Sequence, residues 1–384
     1  MAQRKRIGLF YESYRTLPAY VIYIQNLVRT LYLAEDKDRP VLVILHLHDS
    51  PLEELTDTGY PYLEFYCLQD VYANPLKRAV NKVSRLVSGK NLIEFTDRGF
   101  PKGLDAIFPY NFRKETEGVP FKLVWKPDFQ EFHLPQFFES EALKQHGEYL
   151  DMLSKNGLPL VLSSEDSKRD YENLYAHHNN QISIWRFTSF LPDFSKVEFP
   201  ALKQRHKISK KYFVVANQFW PHKNHLNVLK AVKEVVSDHK DFQVVITGKQ
   251  SSSRDGGLFS KLLLYIQQNR LEQYFVFTGF IHREEQLCLM KNAEAVIQPS
   301  LFEGWSTVIE DCKAMGQQVL ASHISVNKEQ IKTNVLFFDP YDYQSLAGQM
   351  KMILTNKPAL TETDYRAQIL AFRDTVLQTF NDRK

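Results

Sequence analysis

Short apolar runs alternate with amphipathic stretches along nearly the whole chain. In the first half, RIGLFYE (6–12), PVLVILHL (40–47), YLEFYCL (62–68), LDAIFPY (104–110), FKLVWK (121–126), LPLVLSS (158–164) and ISIWRF (182–187) read as buried strands. Between them, Pro18 to about Ala34, Pro135 to Asn156 and Glu165 to Ala176 place apolar residues at helical spacing. Such alternation predicts a parallel, doubly wound α/β sheet. The pattern lapses from Phe187 to Lys211, around Pro192 and Pro200, where an interdomain connection is expected. It resumes with KYFVVAN (211–217), QVVITG (243–248), YFVFTG (274–279), AVIQP (295–299), QVLAS (318–322) and VLFFD (335–339). Two Rossmann-like domains facing a cleft follow, residues 1–200 and 201–360, with a last helix, Thr361 to Phe380, in a tail of residues 361–384.

Composition narrows the class. A chain of 384 residues is too long for one core. Its 48 basic and 45 acidic side chains leave +3, which excludes nucleic-acid binding by bulk charge, so any basic function is local. The three cysteines, Cys67, Cys288 and Cys312, lie far apart in apolar surroundings and read as reduced thiols of a cytoplasmic protein. The basic start MAQRKR is followed by an apolar run, Ile7 to Phe10, too short for a signal peptide, and no stretch approaches a membrane span. One segment is locally basic. In NPLKRAVNKVSRLVSGKN (74–91), Lys77, Arg78, Lys82 and Arg85 share an amphipathic pattern, which fits either a helix on an anionic membrane face or a solvated helix covering the sheet.

The densest chemistry lies in VIQPSLFEGWSTVIEDCKAMG (296–316). A strand ends at Pro299, a loop passes through Glu303, Gly304 and Trp305, and a helix opens at Ser306 and Thr307 with Ser306 as its N-cap. The unpaired amides and positive dipole end of such a helix suit a phosphate. Val308, Cys312 and Met315 form the stripe facing the sheet, and Asp311 is expected on the open face. The spacing alone equally fits two acids that merely compensate the dipole. Lys223 follows a strand in QFWPHKN, where it suits a phosphate contact, and Gly279, Phe280 and Ile281 form a strand-to-helix turn. Asp128 and His133, in WKPDFQEFHLPQFF, lie just past a strand's carboxyl end, where open α/β sheets place ligands. The turn after the first strand, Ser13 to Leu17, has no G-x-G-x-x-G, which argues against a dinucleotide held in the dehydrogenase manner. No carboxylate pair or His/Cys cluster has metal-ligand spacing, and no metal or cofactor is expected.

Glu303, seven residues, Asp311, then Ala314 and Gly316 resembles the acidic signature of retaining nucleotide-sugar glycosyltransferases of the GT-B fold, family 4 (glycosyl transferases group 1), of the bacterial surface-polysaccharide type. The resemblance implies two Rossmann-like domains and a final helix crossing back to the first. It also assigns roles. Glu303 would contact donor sugar hydroxyls and Asp311 the ribose. The diphosphate would sit between Lys223 and the helix start at Gly304, Trp305, Ser306 and Thr307. Backbone after Gly279, at Phe280 and Ile281, would pair with the base, and Asp128 would face the acceptor with His133 as a substitute for the family's histidine. Asn217-Gln218 stands where the family has Gly-Arg, Pro127 stands where it has His, and Asp311 stands where it has Glu. The implied activity is retaining, metal-independent transfer from a UDP- or GDP-linked sugar to a hydroxyl of a glycan or lipid-linked glycan. The alternatives are an epimerase of the same fold and a non-catalytic sugar-nucleotide-binding subunit.

Overall fold

The computed structural model describes residues 4–11, 18–47, 50–68, 79–80, 82–84, 100–250 and 257–381. β1 (Arg6–Tyr11), β2 (Val41–His46), β3 (Leu63–Cys67), β4 (Ala106–Phe108) and β5 (Phe121–Lys122) form a parallel sheet in the order β3-β2-β1-β4-β5. β6 (Val124–Lys126), β7 (Leu160–Leu162) and β8 (Ile182–Ile184) make a second parallel group. The run FKLVWK is thus two strands rather than the single one expected. At Leu123 the amide donates to the Ile107 carbonyl at 3.1 Å, while the next amide, Val124, turns to Pro159 at 3.0 Å.

The second domain contains β9 (Lys211–Ala216), β10 (Phe242–Thr247), β11 (Phe275–Gly279), β12 (Val296–Gln298), β13 (Val319–Ser322) and β14 (Val335–Phe338). Its strands are all parallel, in the order β11-β10-β9-β12-β13-β14. Alternate residues of β9 serve opposite faces. Phe213 and Val215 pack with Val244 and Ile246, whereas Tyr212 and Val214 pack with Val245 and Val296. Strand order reverses between β9 and β12, so the segments leaving their carboxyl ends diverge and leave a crevice.

Three helical boundaries differ from expectation. The stretch from Pro135 breaks at Phe138, whose extended backbone (φ −124°, ψ 147°) separates a 3-10 turn at Pro135–Phe137 from a helix at Ser140–Asn156. The interdomain connection contains a short helix, Phe199–Arg205, set off by Pro200 in its first turn. The final helix, Tyr365–Asn381, starts later than Thr361, with Asp364 accepting from the Ala367 amide at 3.0 Å. Beyond its first residue, Tyr365, which bonds Glu310 of the second domain, this helix docks on the first domain. Phe372, Val376 and Phe380 join a core with Ile24, Phe108 and Trp185, the Trp185 indole donates to Thr379 at 3.1 Å, and Arg373 donates to the Leu33 carbonyl at 3.0 Å. Of the basic stretch 74–91, only residues 79–80 and 82–84 are described, as helix, and its expected membrane face lies outside the described residues. Among the described residues no helix is long and apolar enough to cross a membrane.

Candidate active site

β12 delivers the chain to the crevice, and Gly304 carries it across. A Cβ at Gly304 would lie 2.6 Å from both the Asp128 Cβ and the Pro127 carbonyl, so only glycine lets this loop touch the opposite domain so closely. Ser306 then caps the helix Thr307–Met315, its hydroxyl accepting from the Ile309 amide at 3.3 Å. The Ser306 amide is itself taken by Gln330 Oε1 at 3.0 Å. The amides that a helix start leaves over are therefore those of Thr307 and Val308, and both residues line the cleft. Sequence spacing puts the anion site at Ser306 and Thr307; the Gln330 bond moves it one residue onward.

Two side chains from different strand ends meet in front of these amides. Lys223, on the 3-10 turn that follows β9, donates to Glu303 Oε1 at 2.6 Å, with both side chains almost fully buried. Gln298, at the end of β12, donates to the same Glu303 oxygen at 2.7 Å and to the Ser306 hydroxyl at 3.0 Å, while its own carbonyl accepts from Asn217 at 2.9 Å. Beneath lie two histidines held neutral. Burial first, and then the charge of Lys223, pulls the pKa of both His222 and His225 down to about 3. The facing wall belongs to the first domain and includes Tyr20, Tyr23, Trp125 and Asp128, with Tyr23 and Trp125 stacked at 4.7 Å. Desolvation raises the Asp128 carboxyl above its ordinary range, against the pull of Lys126. The cavity in this cleft measures ≈ 290 Å³.

The cleft thus gathers Asp128, Asn217, Lys223, Glu303, Gly304, Trp305, Ser306 and Thr307 from distant parts of the sequence. Other expected site residues are placed differently. His133 is not among the residues lining the cavity: its Nε2 meets Asp170 at 2.8 Å and its ring stacks on Phe302 at 5.0 Å, a contact between the domains. The Gln218 carbonyl accepts from the Lys249 amide at 3.1 Å, outside the cavity lining. Gly279, with φ 71°, makes the turn after β11 and leaves Phe280 73% exposed at the rim, with Ile281 packed on the sheet's core.

Asp311 is not on an open face. It is 1% exposed, with Arg283 and Ser189 both donating to its Oδ1 at 2.5 Å, while Oδ2 is buried without a partner. The reason is that Ser189 and Tyr365 of the connecting segments lie over this helix. The neighbouring Glu310 is fully buried as well, accepting from Gln330 (3.0 Å), Lys313 (2.7 Å) and Tyr365 (2.7 Å). Gln298 escaped sequence reasoning because it looks like the last residue of a buried strand; a polar side chain there, flanked by Val296 and Ile297, was the signal. Among the described residues no group of three His, Cys, Asp or Glu is arranged to hold a metal.

Comparison with known proteins agrees with this geometry. Residues 198–369 match the family model described as glycosyl transferases group 1. The serotype-specific mannosyltransferase WbdA of Escherichia coli is 21% identical over 233 residues, covering 60% of this chain and 27% of that protein. The match therefore spans about a quarter of this curated relative. Among solved structures, Anabaena HepE, crystallised with UDP and glucose, superposes with a TM-score of 0.70 at 14% identity, covering 99% of this chain and 100% of that one. A glycosyltransferase from Rickettsia africae gives 0.63 at 15% identity, covering 98% and 94%. These likenesses establish the GT-B fold.

Proposed function

We propose that the chain, whose residues 198–369 match the model of the glycosyl transferases group 1, moves a sugar from a nucleoside diphosphate donor to a hydroxyl of a glycan. The observation that carries this reading is the meeting of Lys223 and Glu303 in front of the unpaired amides of Thr307 and Val308. A diphosphate seated there receives one cation and a helix dipole without any metal. That field stabilises the leaving group as the C–O bond to the sugar breaks, when negative charge gathers on the phosphate oxygen and positive charge on the anomeric carbon. The free oxygen of Glu303 faces the sugar. Asp311, whose Oδ2 lacks a partner, is suited to a ribose hydroxyl once Ser189 or Arg283 yields. Asp128, on the opposite wall, is placed for the acceptor hydroxyl. The incoming hydroxyl adds to the donor carbon on the face the diphosphate leaves, its proton passing to the departing phosphate oxygen, which gives retention. The mannosyltransferase name of WbdA and the UDP and glucose bound by HepE support a hexose donor.

The test is nucleoside diphosphate and nucleoside diphosphate sugar binding by calorimetry, with transfer measured in the presence of EDTA. Lys223→Ala should weaken nucleoside diphosphate binding by about 1–3 kcal/mol, the scale of a charged hydrogen bond. Glu303→Gln, which frees Lys223 from its partner, should bind the same ligand at least as tightly as wild type and yet lose turnover. Unchanged affinity in Lys223→Ala, or transfer abolished by chelator and restored by magnesium, would overturn the proposal.

A further inference from the structure

Glu303 has two carboxylate oxygens, and one of them carries the whole load: Oε1 accepts from both Lys223 (2.6 Å) and Gln298 (2.7 Å). Oε2 is left for a ligand. This arrangement has a built-in conflict under the function proposed above, because the same Lys223 is the cation a diphosphate would attract. As the phosphate draws Lys223 away, Glu303 would lose its only charged partner and with it a fixed position.

We propose that Gln298 is a positioning residue that holds Glu303 in place when Lys223 turns to the diphosphate, so that Oε2 stays presented to the donor sugar. Three observations support it. The Gln298 side chain is completely buried at the end of a central strand, so it has no solvent to compete for its amide. Its orientation is fixed from behind, since Asn217 Nδ2 donates to its carbonyl at 2.9 Å and leaves the NH2 group pointing at Glu303. The same NH2 group reaches the Ser306 hydroxyl at 3.0 Å, which locks Glu303 in register with the helix cap beside the phosphate amides. Being neutral, Gln298 holds the carboxylate without cancelling the charge that an electron-poor anomeric carbon needs; a second cation would anchor it equally well and weaken that effect.

The inference rests on the donor assignment above, so its test uses full-length protein and reads binding and turnover separately. Gln298→Met keeps the length and removes every side-chain hydrogen bond of this residue, those to Glu303 and Ser306 included. It should leave nucleoside diphosphate affinity within about twofold of wild type and lower kcat on the order of 10- to 100-fold, the span of a lost charged hydrogen bond. Gln298→Glu supplies a pH readout that a purely structural role would not give. Its carboxyl abuts Glu303, so the two share a proton, and only the protonated form donates as glutamine does. Its kcat should approach wild type at acid pH and fall as pH rises through the range where wild type is flat. Turnover in Gln298→Met equal to wild type per folded molecule, or Kd lost as steeply as kcat, would overturn the positioning role alone. A wild-type chain that turns over no nucleoside diphosphate sugar would instead overturn the donor assignment and this inference with it.

Discussion

Asp128 shows at the scale of one residue how the cleft stores a cost. Removal from water raises its carboxyl, Lys126 offsets part of that, and Glu131 and Glu303 push it further up. A carboxyl with a raised folded pKa is bound to its proton more tightly in the folded chain than in the unfolded one. Its stabilising contribution therefore belongs to acid solution and is lost as pH rises through the folded value. At neutral pH the ionised side chain works against the fold. Asp128→Asn keeps the acceptor that receives the Gln130 amide at 3.1 Å and removes the charge. Thermal melts should place the variant above wild type at pH 7, with the gap closing as pH falls toward the ordinary carboxyl range. A gap that widens on acidification would reverse the sign of this argument. The same variant should lose transfer activity, since a destabilised polar group in a cleft is retained for what it does there.

The helix Thr307–Met315 performs two tasks that its sequence does not separate. Its opening turn serves the cleft, and its second turn serves the domain junction, because Glu310 and Asp311 both sit under the connecting segments. Glu310 holds Lys313, Gln330 and Tyr365 at once. Glu310→Gln leaves Lys313 as a buried charge without its counter-ion, and should cost roughly 3–5 kcal/mol of stability, read as a lowered midpoint in urea with nucleotide affinity retained by the fraction still folded. This element also shows what a single sequence discloses. The strand, the cap and the apolar stripe of Val308, Cys312 and Met315 were legible, because each depends on neighbours within a few residues. The burial of Asp311 was not, because Ser189, 122 residues away, approaches it only once the two domains pack. The surroundings of His133 were hidden for a related reason: its position past a strand end was legible, but its partner Asp170 lies on a different helix. The Rossmann-like strand order was legible in outline through alternation alone, whereas the break of FKLVWK at Leu123 depends on which strand each side finds as a neighbour.

Across the whole molecule, the two domains are joined by more than the connecting segment. Ser189 donates its hydroxyl to Asp311 and its amide to the Tyr365 hydroxyl at 2.7 Å, and Glu329 of the second domain accepts from the Glu165 amide at 3.0 Å at the start of a first-domain helix. Occupation of Asp311 by a ribose would therefore be felt at the junction, where Tyr365 begins the last helix. That helix supplies Phe372, Val376 and Phe380 to the first domain's core. A chain ending at residue 364 should expose Trp185, shift its fluorescence to the red and lose the first domain's part of the thermal transition, and a peptide of residues 361–384 added in trans should restore the signal. An unshifted spectrum in the shortened chain would show that the first domain closes without it.

The docking of Tyr365–Asn381 against Trp185 also sets an order of events during synthesis. The second domain's core is drawn from residues between Leu202 and Ile353, all available before the last helix is made. The first domain's core waits for Phe380, which leaves the ribosome on the order of 10–40 s after Phe187 at ~5–20 residues per second. The part of the protein translated first is thus the part completed last, and in the interval its apolar surface stays unfinished.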